Sequence, residues 1–246
     1  MRNLKITLAY DGTRFVGWQR QAEGESIQGL LEDALARLEG GAVTVHGAGR
    51  TDAGVHALGQ VASARVGFTH DSATIVRSLN AQLPEDIRIT DVTDAPDTFH
   101  ARFSARTKTY RYRLRTGDIS DPFDRAYVWH VGSRLNLDAM CTAAAAFVGT
   151  HDFAAFQSTG TETRDTVRTI ERSQLLVDPP FATYEVIGTG FLRHMVRAIV
   201  GTLVEIGRGW RPVSELPALF ENGRRADAGA TAPARGLFLV RVDYDE

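Results

Sequence analysis

The segment 47–57, GAGRTDAGVHA, places one aspartate, Asp52, among residues with small side chains. Its three glycines and three alanines allow the backbone to approach a ligand closely. Arg50 lies two positions before Asp52, and a nearby positive charge favours the ionised form of a carboxyl group in a cleft. An ionised aspartate can act as a nucleophile, a base or an electrostatic stabiliser. On spacing alone a second interpretation stays open, in which Asp52 only caps the backbone amides of a tight turn.

Basic and aromatic residues alternate over 108–115, KTYRYRLR. In a strand, one face would carry Lys108, Tyr110, Tyr112 and Leu114, and the other Thr109, Arg111, Arg113 and Arg115. Aromatic rings interleaved with basic groups suit a stacked base and its phosphates. The alternative is that the tyrosines are core residues and the arginine face is solvated.

Apolar spacing predicts a helix over 191–207. Its buried stripe would consist of Leu192, Met195, Val196, Ile199, Leu203 and Ile206. Arg193 and Arg197 lie four positions apart and would share another face. We expect Arg193 in the first turn, where the helix dipole favours anions over cations. This placement indicates an external anionic partner, although a surface pair of arginines is equally compatible with it.

The sequence lacks the motifs of several other chemistries. It has no G-x-x-x-x-G-K-[ST] loop, no H-E-x-x-H, no C-x-x-C and no G-x-S-x-G, and its seven histidines lack the spacing of metal ligands. Gly188 and Gly190 follow a predicted strand, but Arg193 occupies the third glycine position of a dinucleotide fingerprint. We therefore expect neither a metal nor a cofactor, and a site built from ordinary side chains.

Length and composition indicate a soluble globular protein. The chain has 246 residues, of which 43% are hydrophobic and 24% charged, and its one cysteine, Cys141, cannot form an internal disulfide. No segment approaches the ~20 apolar residues of a membrane span, and the N-terminus does not resemble a secretory signal. We expect a cytoplasmic protein. The net charge is −2, yet 101–115 carries six basic residues and no acid, which is typical of an RNA-binding cleft.

Hydrophobic periodicity predicts a mixed α+β fold made of two halves, 1–103 and 104–246. The first half reads strand, helix, strand, strand, helix, strand, with Ser26 as the N-cap of the helix over 26–39. In the second half we predict strands at 104–116, 126–131, 166–178, 181–189 and 236–243, helices at 137–148, 191–207 and 213–221, and a long polar loop at 149–165. We expect a pseudo-duplicated sheet with helices mostly on one face.

Seven segments of the chain, in order, resemble motifs of the tRNA pseudouridine synthase A family. They are YDGTRFVGWQRQ (10–21), ESIQGLLEDAL (25–35), GRTDAGVHA (49–57), FHARFSARTKTYRY (99–112), FVGTHDFAAF (147–156), GFLRHMVRAIVGTLVEIGRG (190–209) and TAPARGLFLVRVDY (231–244). The resemblance spans the chain, and the order and spacing of so many motifs are highly specific.

The resemblance implies two similar α/β halves that share an extended, mostly antiparallel central sheet with flanking helices, and a cleft between the halves. It also implies a homodimer that isomerises uridine to pseudouridine at positions 38, 39 and 40 of the tRNA anticodon stem-loop, without a cofactor. By motif match, Asp52 would be the catalytic aspartate, Tyr110 would pack against the target base, and Arg193 would pair with Asp52. We further expect phosphate contacts from Arg50, Lys108, Arg111 and Arg197.

Two other functions compete with this interpretation. A nucleoside or glycoside hydrolase using Asp52 would need a second carboxyl group as acid, and the matched catalytic segments contain none. Free uracil as product would support it. A non-catalytic RNA chaperone would explain the basic and aromatic strand but not the Arg-Thr-Asp loop in its glycine frame. An Asp52→Asn variant that keeps every cellular role would support the chaperone.

Overall fold

The computed structural model describes residues 1–132, 134–160 and 165–245. Its strands are β1 (Arg2–Tyr10), β2 (Val45–Gly47), β3 (His56–Val66), β4 (Ile87–Ala95), β5 (Ala105–Arg115), β6 (Trp129–His130), β7 (Gly149–Asp152), β8 (Val167–Asp178), β9 (Phe181–Gly188) and β10 (Leu237–Tyr244). Its α-helices are α1 (Ile27–Glu39), α2 (Ser72–Gln82), α3 (Leu137–Ala145), α4 (Met195–Gly207) and α5 (Leu216–Glu221). Contacts among residues divide the chain into unit 1, Met1–Arg106 with Phe238–Glu246, and unit 2, Thr107–Leu237.

Unit 1 has a mostly antiparallel sheet in the order β4-β1-β3-β10, with β2 paired to β3. Alternate residues of β1, namely Leu4, Ile6, Leu8 and Tyr10, are buried, because successive side chains of a strand point to opposite faces of the sheet. Only β10 runs parallel to its neighbour, with Phe238 opposite His56. This pairing places the C-terminal strand in unit 1, whereas the sequence pattern predicts it in the second half, 104–246.

Helix α1 begins and ends where its sequence predicts. The Ser26 side chain accepts a hydrogen bond from the Gly29 amide at 3.2 Å, which satisfies one free donor of the first turn. Gly40 then adopts a left-handed conformation, φ 74°, and its amide bonds the Ala36 carbonyl. The helix buries Ile27 and Leu35 completely. Because β2 follows within six residues, α1 leads directly to the loop that carries Asp52.

Unit 2 has an antiparallel sheet in the order β5-β9-β8-β7, with the short β6 parallel to the end of β5. Helix α4 is its central helix, and 11 of its 13 residues are buried. Helix α3 packs on both α4 and β8. Thus the fold class predicted from the sequence, α+β with mostly antiparallel strands and flanking helices, is confirmed.

The predicted loop at 149–165 is wrong in its first part. Residues 149–152 form β7, which pairs with β8, and Ala154–Phe156 form a 3-10 turn. Phe153 and Phe156 are fully buried, and the Phe156 ring centre lies 5.3 Å from that of Phe147. Because polar residues flank Phe153 and Phe156, the sequence pattern predicts a loop although the segment is anchored in the core. Residues 161–164 of the same predicted loop lie outside the described residues.

Candidate functional site

The loop between β2 and β3 carries Asp52, and its backbone is fixed on both sides. The Trp18 amide donates to the Thr51 carbonyl at 3.0 Å, and Gly17 forms an antiparallel bridge with Asp52. Within the loop, the Val55 amide donates to the Asp52 carbonyl at 3.1 Å and closes a turn. These bonds tie the backbone at Asp52 to a second segment of unit 1, which limits how far its carboxylate can move.

Buried polar side chains form hydrogen bonds with residues of the loop. The hydroxyls of Tyr10 and Thr51 lie 2.8 Å apart, and the Gln60 amide donates to the Gly49 carbonyl at 2.9 Å. Burial raises the pKa of Tyr10 to about 12, and the hydrogen bonds with Thr51 and Gln60 oppose that rise. Tyr10 therefore remains a neutral phenol at physiological pH, and its hydroxyl forms a hydrogen bond with Thr51, which directly precedes Asp52.

Two glycines of the segment 10–21 allow this close approach. Gly17 has φ +107°, and a Cβ there would lie 2.7 Å from the Thr51 carbonyl oxygen. A Cβ at Gly12 would overlap the Val55 carbonyl oxygen. Any side chain at either position would push the loop away. The sequence marks this segment as a motif but predicts no role for Tyr10, Gly12 or Gly17. The signal in the sequence is the pair Gly12 and Gly17, which follows the end of β1 and could have indicated a close backbone contact.

Asp52 itself is half-buried. Arg50, two residues before it, is exposed, and no carboxylate in the described part of unit 1 forms an ion pair with it. The loop therefore carries the carboxylate of Asp52 on a hydrogen-bonded backbone, with the cationic Arg50 two positions earlier in the sequence. Such a carboxylate can act on an electrophilic carbon or take a proton from carbon.

Strand β5 presents the two faces that the sequence predicts, and the tyrosine face is buried. Tyr110 is 7% exposed, and Tyr112 is fully buried with its hydroxyl donating to the Pro233 carbonyl at 2.7 Å. The Tyr110 ring meets Phe191 edge to face, with ring centres 5.0 Å apart. Tyr112 is thus a core residue, as the alternative interpretation held for it. Phe191 is an aromatic neighbour of Tyr110 that the sequence pattern does not predict.

Arg193 lies before helix α4 and not in its first turn, which corrects the sequence prediction. The helix starts at Met195 because His194 has a left-handed backbone, φ 64°, that a helix cannot include. The Arg193 carbonyl accepts a hydrogen bond from the Ser158 amide at 3.0 Å. Its side chain is exposed, and no carboxylate in the described part of unit 2 pairs with it. The fixed backbone therefore carries an accessible guanidinium group.

Three further predicted contacts lie in unit 2. Arg111 donates to Glu185 at 2.7 Å, and the Glu185 carboxylate is 8% exposed. Arg197 donates to the Ala232 carbonyl at 2.7 Å and accepts from the same residue's amide at 3.1 Å, so it holds the segment before β10. Lys108 is half-buried. Arg111 and Arg197 thus have internal structural partners that the sequence did not reveal.

Among the described residues, no group of three or more His, Cys, Asp or Glu side chains is arranged to hold a metal ion. In the same residues, no helix is both long and apolar enough to cross a membrane.

Comparisons with known proteins identify what the chain is similar to. A family model described as tRNA pseudouridine synthase matches residues 6–104 and 143–245. The tRNA pseudouridine synthase A of Geobacter sp. (strain M21) is 43% identical over 251 residues, covering 100% of both chains. That of Syntrophotalea carbinolica is 44% identical over 244 residues, covering 99% of this chain and 97% of the relative. One chain of the solved Cbf5-Nop10-Gar1 complex aligns with 96% of this chain and 48% of its own length, at 11% identity and a TM-score of 0.40.

Proposed function

The chain belongs to the tRNA pseudouridine synthase family, and from that premise we propose that it isomerises uridine at positions 38, 39 and 40 of the tRNA anticodon stem-loop. The reaction breaks the C1′–N1 bond of uridine, turns the released base, and joins C1′ to C5. The C5 hydrogen leaves as a proton and N1 gains one, so the product is an isomer. Because no electrons or groups are gained or lost, the bond changes require no redox partner and no phosphoryl donor.

We assign Asp52 to the ribose of the reacting uridine. Its carboxylate would either attack C1′ or remove the C2′ proton to give a glycal, and both routes release the base. The supporting observation is the loop itself, which ties the backbone at Asp52 to Gly17 and Trp18 while the side chain stays half-exposed. Positioning of this kind favours reaction because a fixed carboxylate does not have to be ordered when the substrate arrives.

Tyr110 and Arg193 complete the proposed set of catalytic residues. Tyr110 would pack against the target base, and its phenol would help to remove the C5 proton at the end. Arg193 would pair with Asp52 and keep it ionised. The target base must leave the stacked stem-loop to react, and unstacking costs a few kcal/mol, which contacts to the RNA backbone supply.

Phosphate contacts are proposed for Arg50, Lys108, Arg111 and Arg197. Arg50 is the best test, because it is exposed and has no ion pair with a carboxylate in the described part of unit 1. Removing Arg111 or Arg197 would also disturb Glu185 or the Ala232 segment. Neutralising a single phosphate contact lowers the slope of log K against log salt by roughly 0.7 to 0.9.

The test uses a tRNA transcript that carries tritium at C5 of uridine. The purified protein, without added cofactor, should release tritium to water, because C5 exchanges its hydrogen for C1′. Asp52→Ala and Asp52→Asn should lose on the order of 10³-fold or more of this rate and still bind tRNA. Transcripts in which uridines 38 to 40 are replaced by cytidine should release nothing.

Asp91→Asn serves as the matched control, because Asp91 is an exposed carboxylate of β4 in the same unit. It should behave like the wild type. Tritium release by Asp52→Asn at the wild-type rate would overturn the assignment of Asp52. Tight tRNA binding without release by the wild type would favour the RNA chaperone, and free uracil would favour the hydrolase.

The family premise also leads us to propose a cytoplasmic homodimer in which tRNA contacts both subunits. Sedimentation of the full chain with and without tRNA would give the masses of both assemblies.

A further inference from the structure

Trp210 is a large aromatic side chain that unit 2 leaves 70% exposed. It follows helix α4 and the left-handed Gly209, φ 74°. Tryptophan is highly buried on average in folded proteins, so this exposure is unusual. Trp18, by contrast, is 2% exposed in the core of unit 1. Packing within unit 2 therefore does not explain why a tryptophan occupies position 210.

Trp210 lines a recess of about 450 Å³ with Val131, Gly132, Arg134 and Arg208, which we call the tryptophan recess. The Arg208 guanidinium carbon lies 4.6 Å from the centre of the Trp210 ring, within range of a cation–π contact. Arg208 also donates to the Val131 carbonyl at 3.3 Å.

Arg134 and Arg208 give the tryptophan recess a positive charge. Within the described part of the chain, no carboxylate forms an ion pair with Arg134 or Arg208. The nearby Arg211 differs, since it pairs with Glu205 at 3.4 Å and Glu215 at 3.1 Å. Arg208 has a structural role as the cation at the end of α4, where the helix dipole favours it. That role accounts neither for Arg134 nor for the exposed indole.

We propose that the tryptophan recess binds a nucleotide of the substrate RNA other than the uridine that reacts. The base stacks on Trp210, and its phosphate contacts Arg134 and Arg208. Stacking on an exposed ring is the sequence-tolerant mode by which proteins hold single bases, and arginine is suited to phosphate. This inference rests on the proposed function, since it takes tRNA as the ligand.

The tryptophan recess lies at the opposite end of α4 from Arg193. The helix has 13 residues, so its ends are about 20 Å apart along the axis. A nucleotide held there is therefore separate from a base next to Arg193. Since the contact is remote from Arg193, it should contribute to RNA affinity and not to the chemical step.

The test measures tRNA affinity and the single-turnover rate of Trp210→Ala. We expect the Kd for full-length tRNA to rise roughly tenfold, while the rate at saturating tRNA stays within about twofold of wild type. Trp210→Phe should restore most of the affinity, because it keeps a ring. Arg134→Gln should lower the slope of log K against log salt by roughly 0.7 to 0.9, whereas Trp210→Ala should leave the slope unchanged.

Phe123→Ala is the control, because Phe123 is an 89% exposed aromatic residue elsewhere in unit 2 and should have no effect. Wild-type affinity for tRNA in Trp210→Ala would overturn the proposal. If that variant also differed from the wild type in its sedimentation mass, Trp210 would belong to a protein interface. If Trp210→Ala weakens tRNA binding but the wild type forms no pseudouridine, the RNA site stands and the proposed function fails.

Discussion

Thr51 links the core of unit 1 to the residue proposed for catalysis. Its hydroxyl contacts Tyr10, its carbonyl accepts from Trp18, and Asp52 follows it in the chain. Both contacts come from residues that are nearly fully buried, so the position of Asp52 depends on the core and not on the surface. The motif GRTDAGVHA identified Asp52 as a candidate from the sequence. The buried Tyr10 hydroxyl could not be assigned in that way, because its partner is 41 residues distant.

At the scale of the single residue, Arg193→Met tests the proposed charge next to Asp52. Methionine keeps the length and apolar part of the side chain and removes the charge. We expect the variant to bind tRNA nearly as well as the wild type and to lose on the order of 10²-fold or more of its turnover. Single-turnover tritium release combined with filter binding separates the two effects. Full turnover in Arg193→Met would refute the role.

Asp52 and Arg193 lie in loops next to regular elements, whereas Tyr110 lies on strand β5. The strands and the long helices follow from periodicity, and Ser26 caps its helix as predicted. The start of α4 does not follow from periodicity, because the apolar stripe continues through Leu192 while His194 takes a left-handed conformation. Strand β7 was also missed, since a four-residue edge strand in a polar segment has no distinct pattern.

At the scale of the element, Gly17→Ala tests whether the segment 10–21 positions the Asp52 loop. Alanine at φ +107° is strained, and its Cβ would press on the Thr51 carbonyl. We expect the free energy of unfolding to fall by about 1 to 3 kcal/mol and turnover to drop on the order of 10²-fold. Urea unfolding and tritium release measure the two quantities.

Gly41→Ala is the control for this prediction, because a Cβ at Gly41 would meet no atom within 4 Å. It should change the free energy of unfolding by no more than about 0.5 kcal/mol and leave turnover unchanged. Equal activity in the two variants would show that the loop does not depend on Gly17.

At the scale of the whole molecule, burial raises the pKa values of four tyrosines among the described residues. Burial raises the pKa of Tyr10 to about 12, and it also raises the pKa values of Tyr112, Tyr184 and Tyr244. Both units contain such residues, since Tyr10 and Tyr244 lie in unit 1 and the other two in unit 2. At each of these four positions, the native protein therefore keeps a phenolic proton that the unfolded chain releases near pH 10.

We expect this difference to appear as a loss of stability in alkali. A raised native pKa means that the stabilisation is complete below pH 10 and is lost as the pH rises from 10 towards 12 for Tyr10. Each buried tyrosine contributes a slope of up to about 1.4 kcal/mol per pH unit in that window. Urea unfolding between pH 8 and pH 11 measures the slope, which Tyr10→Phe should reduce. A free energy that stays constant to pH 11 would contradict the prediction.

The sequence by itself determined the α+β class, most strands and helices, and Asp52, Tyr110 and Arg193 as candidates, because short-range periodicity and local motifs carry that information. Only the tertiary structure showed that Gly12 and Gly17 permit close packing against the Asp52 loop and that Glu185 and Ala232 engage Arg111 and Arg197. It also placed β10 beside β3, more than 170 residues earlier in the chain. These features depend on contacts between distant segments, which no local pattern encodes.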